Sequence, residues 1–191
     1  MEKALEHHEH AAHAAGHGAK HAALLVAILA ACLAVSEQQA KLAEIKVSNS
    51  AVLAADAWGQ YQGKSTRQFI AQDLAAVMDT LDKPADPALV EQRAKVAAKL
   101  REDAKRLQDD PKDGKEAISK RAREFEALRD ESLERAHAFD KAAASLELGI
   151  VLATASAITA SKMLIRLALA LGVIGIALAV LGRVDPELIP F

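Results

Sequence analysis

Six of the seven histidines fall in the first 21 residues of this 191-residue chain. Placed on a helix, His10, His13, His17 and His21 follow one another at steps of three, four and four and share one face. Neutral imidazoles at that spacing suit zinc or another borderline transition ion. The same stripe also suits a protonation-sensitive helix on a membrane surface, or a polar cap with no specific role. His8-Glu9-His10-Ala11-Ala12 lacks the second histidine of the His-Glu-x-x-His zinc-protease helix, so it carries no hydrolytic reading.

The other distinctive patch is Trp58-Gly59-Gln60-Tyr61-Gln62-Gly63-Lys64-Ser65-Thr66-Arg67, which holds the single Trp and the single Tyr. Gly59 to Lys64 has neither the glycine spacing of a phosphate-binding loop nor a strand before it. Trp58 and Tyr61 are therefore read as packing groups, with Gly59 and Gly63 as a small ridge permitting close approach by another helix or another subunit. Cys32 is the one cysteine and lies in an apolar segment, and His137 stands on a charged helix. No nucleophile, base and orienting group come together, so the chain is expected not to be an enzyme, and to need no cofactor.

These groups must be positioned by helices. The chain is 51% hydrophobic but only 3% aromatic, and 26% charged, with 24 basic against 26 acidic side chains. A net charge of −2 gives no bulk reason to bind nucleic acid. Charge is segregated to the middle. Residues 22–35 form an uncharged run of about 21 Å as a helix, short against a hydrocarbon layer of about 30 Å unless the preceding turns join it. A buried helix of a water-soluble bundle is the alternative. Residues 148–182 are interrupted only by Lys162 and Arg166, and about 52 Å of helix is too long for one crossing. A hairpin of two spans is expected, one long tilted helix being the alternative. Leu29-Ala30-Ala31-Cys32 matches a lipoprotein signal, but the long acidic, His-rich segment before it does not, and an uncleaved anchor is preferred.

The resulting expectation is an all-α membrane protein with three transmembrane helices and an extramembrane, coiled-coil-like helical stalk. Its parts are a His-rich polar N-terminus at 1–21, spans at 22–36, 147–161 and 164–182, a stalk over 37–146 and a polar tail at 183–191. Within the stalk, Lys83-Pro84-Ala85-Asp86-Pro87 and Asp109-Asp110-Pro111-Lys112-Asp113-Gly114 are breakers, leaving helices at about 37–82, 88–108 and 115–146. The second stalk helix shows a seam of Leu89, Val96, Leu100 and Leu107. In the third, Ile118, Ala122, Phe125, Ala136, Phe139, Ala143 and Leu146 hold one register that is broken at Arg129 and Ser132. Ala27 with Ala31, Ala30 with Ala34, Ala153 with Ala157 and Gly175 with Ala179 are spaced for close contact in lipid, although alanine-rich helices also produce such spacings by chance.

The polar start, the span ending in LAVSE, the Trp58-x-x-Tyr61-Gln62-x-Lys64-Ser65-x-Arg67 segment and the C-terminal apolar pair together resemble an uncharacterised bacterial membrane-protein family of unknown function. The resemblance covers nearly the whole chain. It implies a multi-pass helical protein of the bacterial cytoplasmic (inner) membrane, and carries over no activity or substrate. Lys3, Lys20, Lys162 and Arg166 against Arg183 favour a cytoplasmic N-terminus, but Lys41, Lys46, Arg135 and Lys141 nearly cancel that bias. The expected role is a homo-oligomeric membrane scaffold, partnered by the lipid bilayer and by copies of itself. The alternative is a channel, or a metal- or pH-responsive sensor using the histidine face. Whether a small molecule binds is left open by the sequence.

Overall fold

The computed structural model describes residues 2–82 and 85–184, with side chains from residue 20 onward. Four helices make up the described chain: α1 (Glu2–Thr80), α2 (Pro87–Asp109), α3 (Lys115–Thr159) and α4 (Lys162–Val184). The fold is all-α. Three helices are long and apolar enough to cross a membrane, within Lys20–Thr80, Lys115–Thr159 and Lys162–Val184.

Local chemistry sets the helix ends. The Asp86 side chain accepts a hydrogen bond from the Ala88 N–H at 2.9 Å, and Pro87 takes the first helical position, where its missing N–H costs nothing. At the other end of α2, the Asp110 carboxylate accepts from the N–H groups of Lys112 (2.9 Å) and Asp113 (3.0 Å). Those two bonds stabilise its ionised form and lower its pKa below the ordinary carboxylate value. The folded-state pKa being depressed, the help Asp110 gives this turn is present above the unfolded-state pKa and is lost as pH falls through the folded one. Between α3 and α4, Ala160 adopts a φ of 53°, a left-handed conformation that costs a non-glycine residue about 1–2 kcal/mol. The Ser156 hydroxyl donates to the Ser161 carbonyl at 3.0 Å and ties that corner to the preceding helix.

The chain divides into two compact units, Met1–Val47 with Asp130–Phe191, and Ser48–Arg129. The first is built from α1, α3 and α4. Its core is made of small residues: Ala22, Ser36, Ala40 and Ala43 of α1, Ala136, Ala142 and Ala153 of α3, and Ala168, Gly172, Gly175 and Gly182 of α4. Leu29 and Leu146 are the largest fully buried side chains there. Leu29, 2% exposed, fits between two glycines: a Cβ at Gly172 would lie 2.6 Å from Leu29 Cδ2, and one at Gly149 would lie 3.2 Å from Leu29 Cδ1. Gly175 meets Leu146 Cγ at 2.7 Å, and Gly182 meets Ala138 Cβ at 2.7 Å, by the same measure. Glycine lets α4 approach the backbone of α3, so dispersion across a narrow contact replaces the burial of large side chains. The large aliphatic residues point the other way. Leu24, Ile28, Leu148, Val151, Leu169 and Val173 are exposed, and Ile158 is 83% exposed.

In the second unit α1 and the start of α3 pack around Ala57, Ile118 and Ala122, while α2 lies along the end of α1, where Arg101 pairs with Asp79 and Arg93 donates to the Leu81 and Asp82 carbonyls. On α2 the inward residues are Val90, Ala97, Leu100, Ala104 and Leu107. The seam expected from Leu89 and Val96 is corrected here: both are exposed, at 50% and 42%, and Ala97 and Ala104 are the buried residues of α2, small side chains that allow a closer seat on α1. Arg129 and Ser132 do not break the burial register of α3 either, since Arg129 is half-buried and Ser132 buried in their respective units. The interruption is one of residue type only.

Candidate functional site

Among the described residues, the densest meeting of polar and aromatic groups surrounds Trp58. Its indole Nε1 donates to Glu126 Oε1 at 2.9 Å, and its ring meets Tyr61 edge-on at 5.6 Å between centroids with an 80° interplanar angle. Lys115 Nζ sits 5.2 Å from the centre of the Tyr61 ring and donates to Gln68 Oε1 at 2.9 Å. One ammonium thus ties the first turn of α3 to α1 by a cation–π contact and a hydrogen bond. One turn further on, Lys64 pairs with Asp113 Oδ2 at 2.8 Å and also donates to the Asp113 carbonyl, while Arg121 approaches Asp113 Oδ1 at 3.9 Å. The whole Trp58–Arg67 segment is interior to α1, so no loop forms in which its backbone could cradle a phosphate.

Trp58, Tyr61 and Phe125 come together against Ala57, Ile118 and Ala122. Gly59 and Gly63 do not join them. Nothing lies within 4 Å of a Cβ at either position, so within this chain the close-approach ridge is corrected to an open helix face. Phe139 is buried in the other unit, at 5% exposure, where Gly175 packs on Leu146 and Ala142, and Ala179 is half-buried. Ala27, Ala30, Ala31 and Ala34 are exposed, whereas Ala153 is buried and Ala157 exposed. Two longer series are carried by the spacing, the first extending the Gly175–Ala179 pair. Ala168, Gly172, Gly175, Ala179 and Gly182 repeat at four and three along α4, and Ala22, Leu29, Ser36 and Ala43 repeat at seven along α1.

The side chains of His10, His13 and His17 lie outside the described residues, and His21 is exposed. No group of three or more His, Cys, Asp or Glu that could hold a metal occurs among the described residues. Cys32 is half-buried, its hydroxyl-bearing neighbour Ser36 donating back to the Cys32 carbonyl at 3.0 Å.

Trp58→Phe is expected to leave Glu126 without its donor and to lower the midpoint of thermal unfolding, corresponding to about 1 kcal/mol, with circular dichroism as the readout. A wild-type melting curve in the variant would remove this bond from the account.

A model of one family, the domain of unknown function DUF4337, matches residues 18–185. The chain belongs to that family. The match takes in all three apolar helical stretches, the Trp58 cluster and the glycine-lined contacts of α4, and begins after His17. The family is one of unknown function and carries no activity, and of the four histidines on the candidate face the match includes His21 alone. No curated protein and no solved structure matches the chain.

Proposed function

We propose that this chain is a non-enzymatic, multi-pass protein of the bacterial inner membrane that assembles into a homo-oligomeric scaffold. Residues 22–36, 147–161 and 164–182 cross the bilayer, and the charged helical stalk, including the Trp58 cluster, lies outside it. The observation that carries the reading is the reversed distribution of side chains in the first unit. Glycine, alanine and serine make up most of its interior, around Leu29, Leu146 and Phe139, while many Leu, Ile and Val side chains face outward, the arrangement that lipid favours and water penalises. Lys162 and Arg183 stand 21 residues apart at the two ends of α4, about 32 Å of helix, which fits the hydrocarbon thickness.

Retention of the protein in membranes through alkaline carbonate and urea, with release only by detergent, is the expected result. Release by carbonate alone would remove the reading.

Self-association is supported by a ridge in the other unit. Ile70, Leu74 and Val77 follow at steps of four and three along α1, with Leu81 just past its end, each about half exposed. Leu89 and Val96 of α2 are exposed as well. A second copy presenting the same ridge would bury a coiled-coil seam. Replacing Leu74 and Val77 by Glu is expected to shift the mass in mild detergent toward monomer, read by mass photometry, without loss of helix content. A wild-type protein that is monomeric throughout would retire the scaffold.

A further inference from the structure

In the first unit a groove of about 550 Å³ is lined by Ala31, Val35, Leu146, Ile176, Ala179 and Val180. Gln39, Phe139 and Arg183 at one end of it also line a smaller cavity of about 160 Å³, whose other walls include Lys46, Arg135 and Ser132. The two therefore adjoin, one apolar and one cationic. Lys46, Arg135 and Arg183 bring three positive charges to the smaller cavity, and no carboxylate lines either space. Glu131 engages one Nη of Arg135 at 2.5 Å, leaving Arg135 Nε buried without a hydrogen-bond partner. A buried guanidinium N–H in that state favours an anionic acceptor.

We propose that this composite site holds one anionic glycerophospholipid, with an acyl chain in the groove and the phosphate on Lys46, Arg135 and Arg183. The inference rests on the membrane reading above. Arg183 follows the apolar stretch of α4, so its guanidinium would stand at the depth of the headgroups, with the groove leading from it toward the hydrocarbon. Charge selects the headgroup and the groove selects the chain. A zwitterionic headgroup brings its own ammonium against Lys46 and Arg183, beside the Glu131-paired Arg135, and is disfavoured.

The test uses the full-length protein in mild detergent, loaded with phosphatidylglycerol or phosphatidylcholine of identical acyl chains, with bound lipids counted by native mass spectrometry. Phosphatidylglycerol is expected to be retained about tenfold better, the size of one charge-assisted hydrogen bond. Arg183→Gln combined with Lys46→Gln, both at exposed positions, should cut that preference to about twofold or less while Arg135 remains, and leave phosphatidylcholine retention unchanged. Ala179→Leu should lower the retention of both lipids by narrowing the groove. Equal retention of the two lipids by the wild type, an intact preference in the charge variant, or full displacement by inorganic phosphate would each overturn the proposal. So would a groove that excludes lipid because a second copy fills it. Membrane extraction reads the spanning assignment separately: detergent-only release with no lipid preference overturns the site alone, whereas carbonate release overturns both.

Discussion

Leu29→Ala is expected to cost about 2 kcal/mol of helix-packing stability, measured by thermal or dodecyl-sulfate titration of circular dichroism in micelles, at the low end of the range for buried leucines in water-soluble cores. The reason lies in the surroundings. A leucine removed from a water-soluble core loses its transfer free energy as well as its contacts, but lipid tails are as apolar as leucine, so in a bilayer or micelle the cavity and the lost dispersion remain. Leu29 is the side chain that fills the space between Gly149 and Gly172, and its loss leaves both glycines facing a void. Gly172→Ala should also destabilise, because the new Cβ would meet Leu29 Cδ2 at 2.6 Å. The double variant should be less damaging than the sum, since the smaller residue 29 makes room for the methyl group. Additive effects would mean that the two positions do not touch.

Gly114→Ala should be the most damaging single change outside the apolar stretches, at about 2–3 kcal/mol by the same melting experiment. The added Cβ would lie 2.5 Å from the Asp110 carbonyl oxygen, 2.6 Å from the Asp110 nitrogen and 2.7 Å from the Gln108 carbonyl oxygen. All three are backbone atoms of the α2 end, and no rotamer change relieves them. The turn they form is closed by the Gly114 N–H bonding to the Asp110 carbonyl at 2.8 Å, and by the Ile118 N–H bonding to Gly114 at 3.0 Å. Gly63→Ala provides the opposite case. With nothing within 4 Å and a helical backbone, it should stabilise by about 0.5–1 kcal/mol through the lost flexibility of the unfolded chain. A Gly63 variant that destabilises, or that lowers the oligomer, would place a neighbouring subunit against that face.

The sequence made the helix ends readable because proline, glycine and aspartate act locally. Pro87 and Asp86 start α2, and the Asp110–Gly114 turn ends it, through bonds that span only a few residues. The division of α3 from α4 at Ala160 was marked by Lys162 and Arg166, although no residue there has an intrinsic taste for a left-handed backbone. The aromatic contact of Trp58 with Tyr61 and Phe125 was readable as packing because so few rings exist in the chain to choose among. The partner of the indole, Glu126, was not, since one acid among many on α3 carries no mark. Half of the α2 seam was misjudged for a related reason: Leu100 and Leu107 are partly buried, but Leu89 and Val96 are exposed. Large apolar residues draw attention, but in a bundle seated on alanine the inward face is the one with the smaller side chains. The groove beside Arg183 depends on three helices distant in sequence, and no local pattern announces it.

An interior made of methyl groups and bare backbone has shallow relief. Along α1 in the first unit one row of inward residues runs at steps of seven through Ala22, Leu29, Ser36 and Ala43, with Ala40 beside its end, and among these only Leu29 is larger than a serine. A surface so nearly periodic offers almost the same fit after a slip of two helical turns, so one leucine acts as the key that fixes the axial alignment. The lock is the pair of bare α-carbons on either side of it, and evolution could retune the alignment by moving that single key.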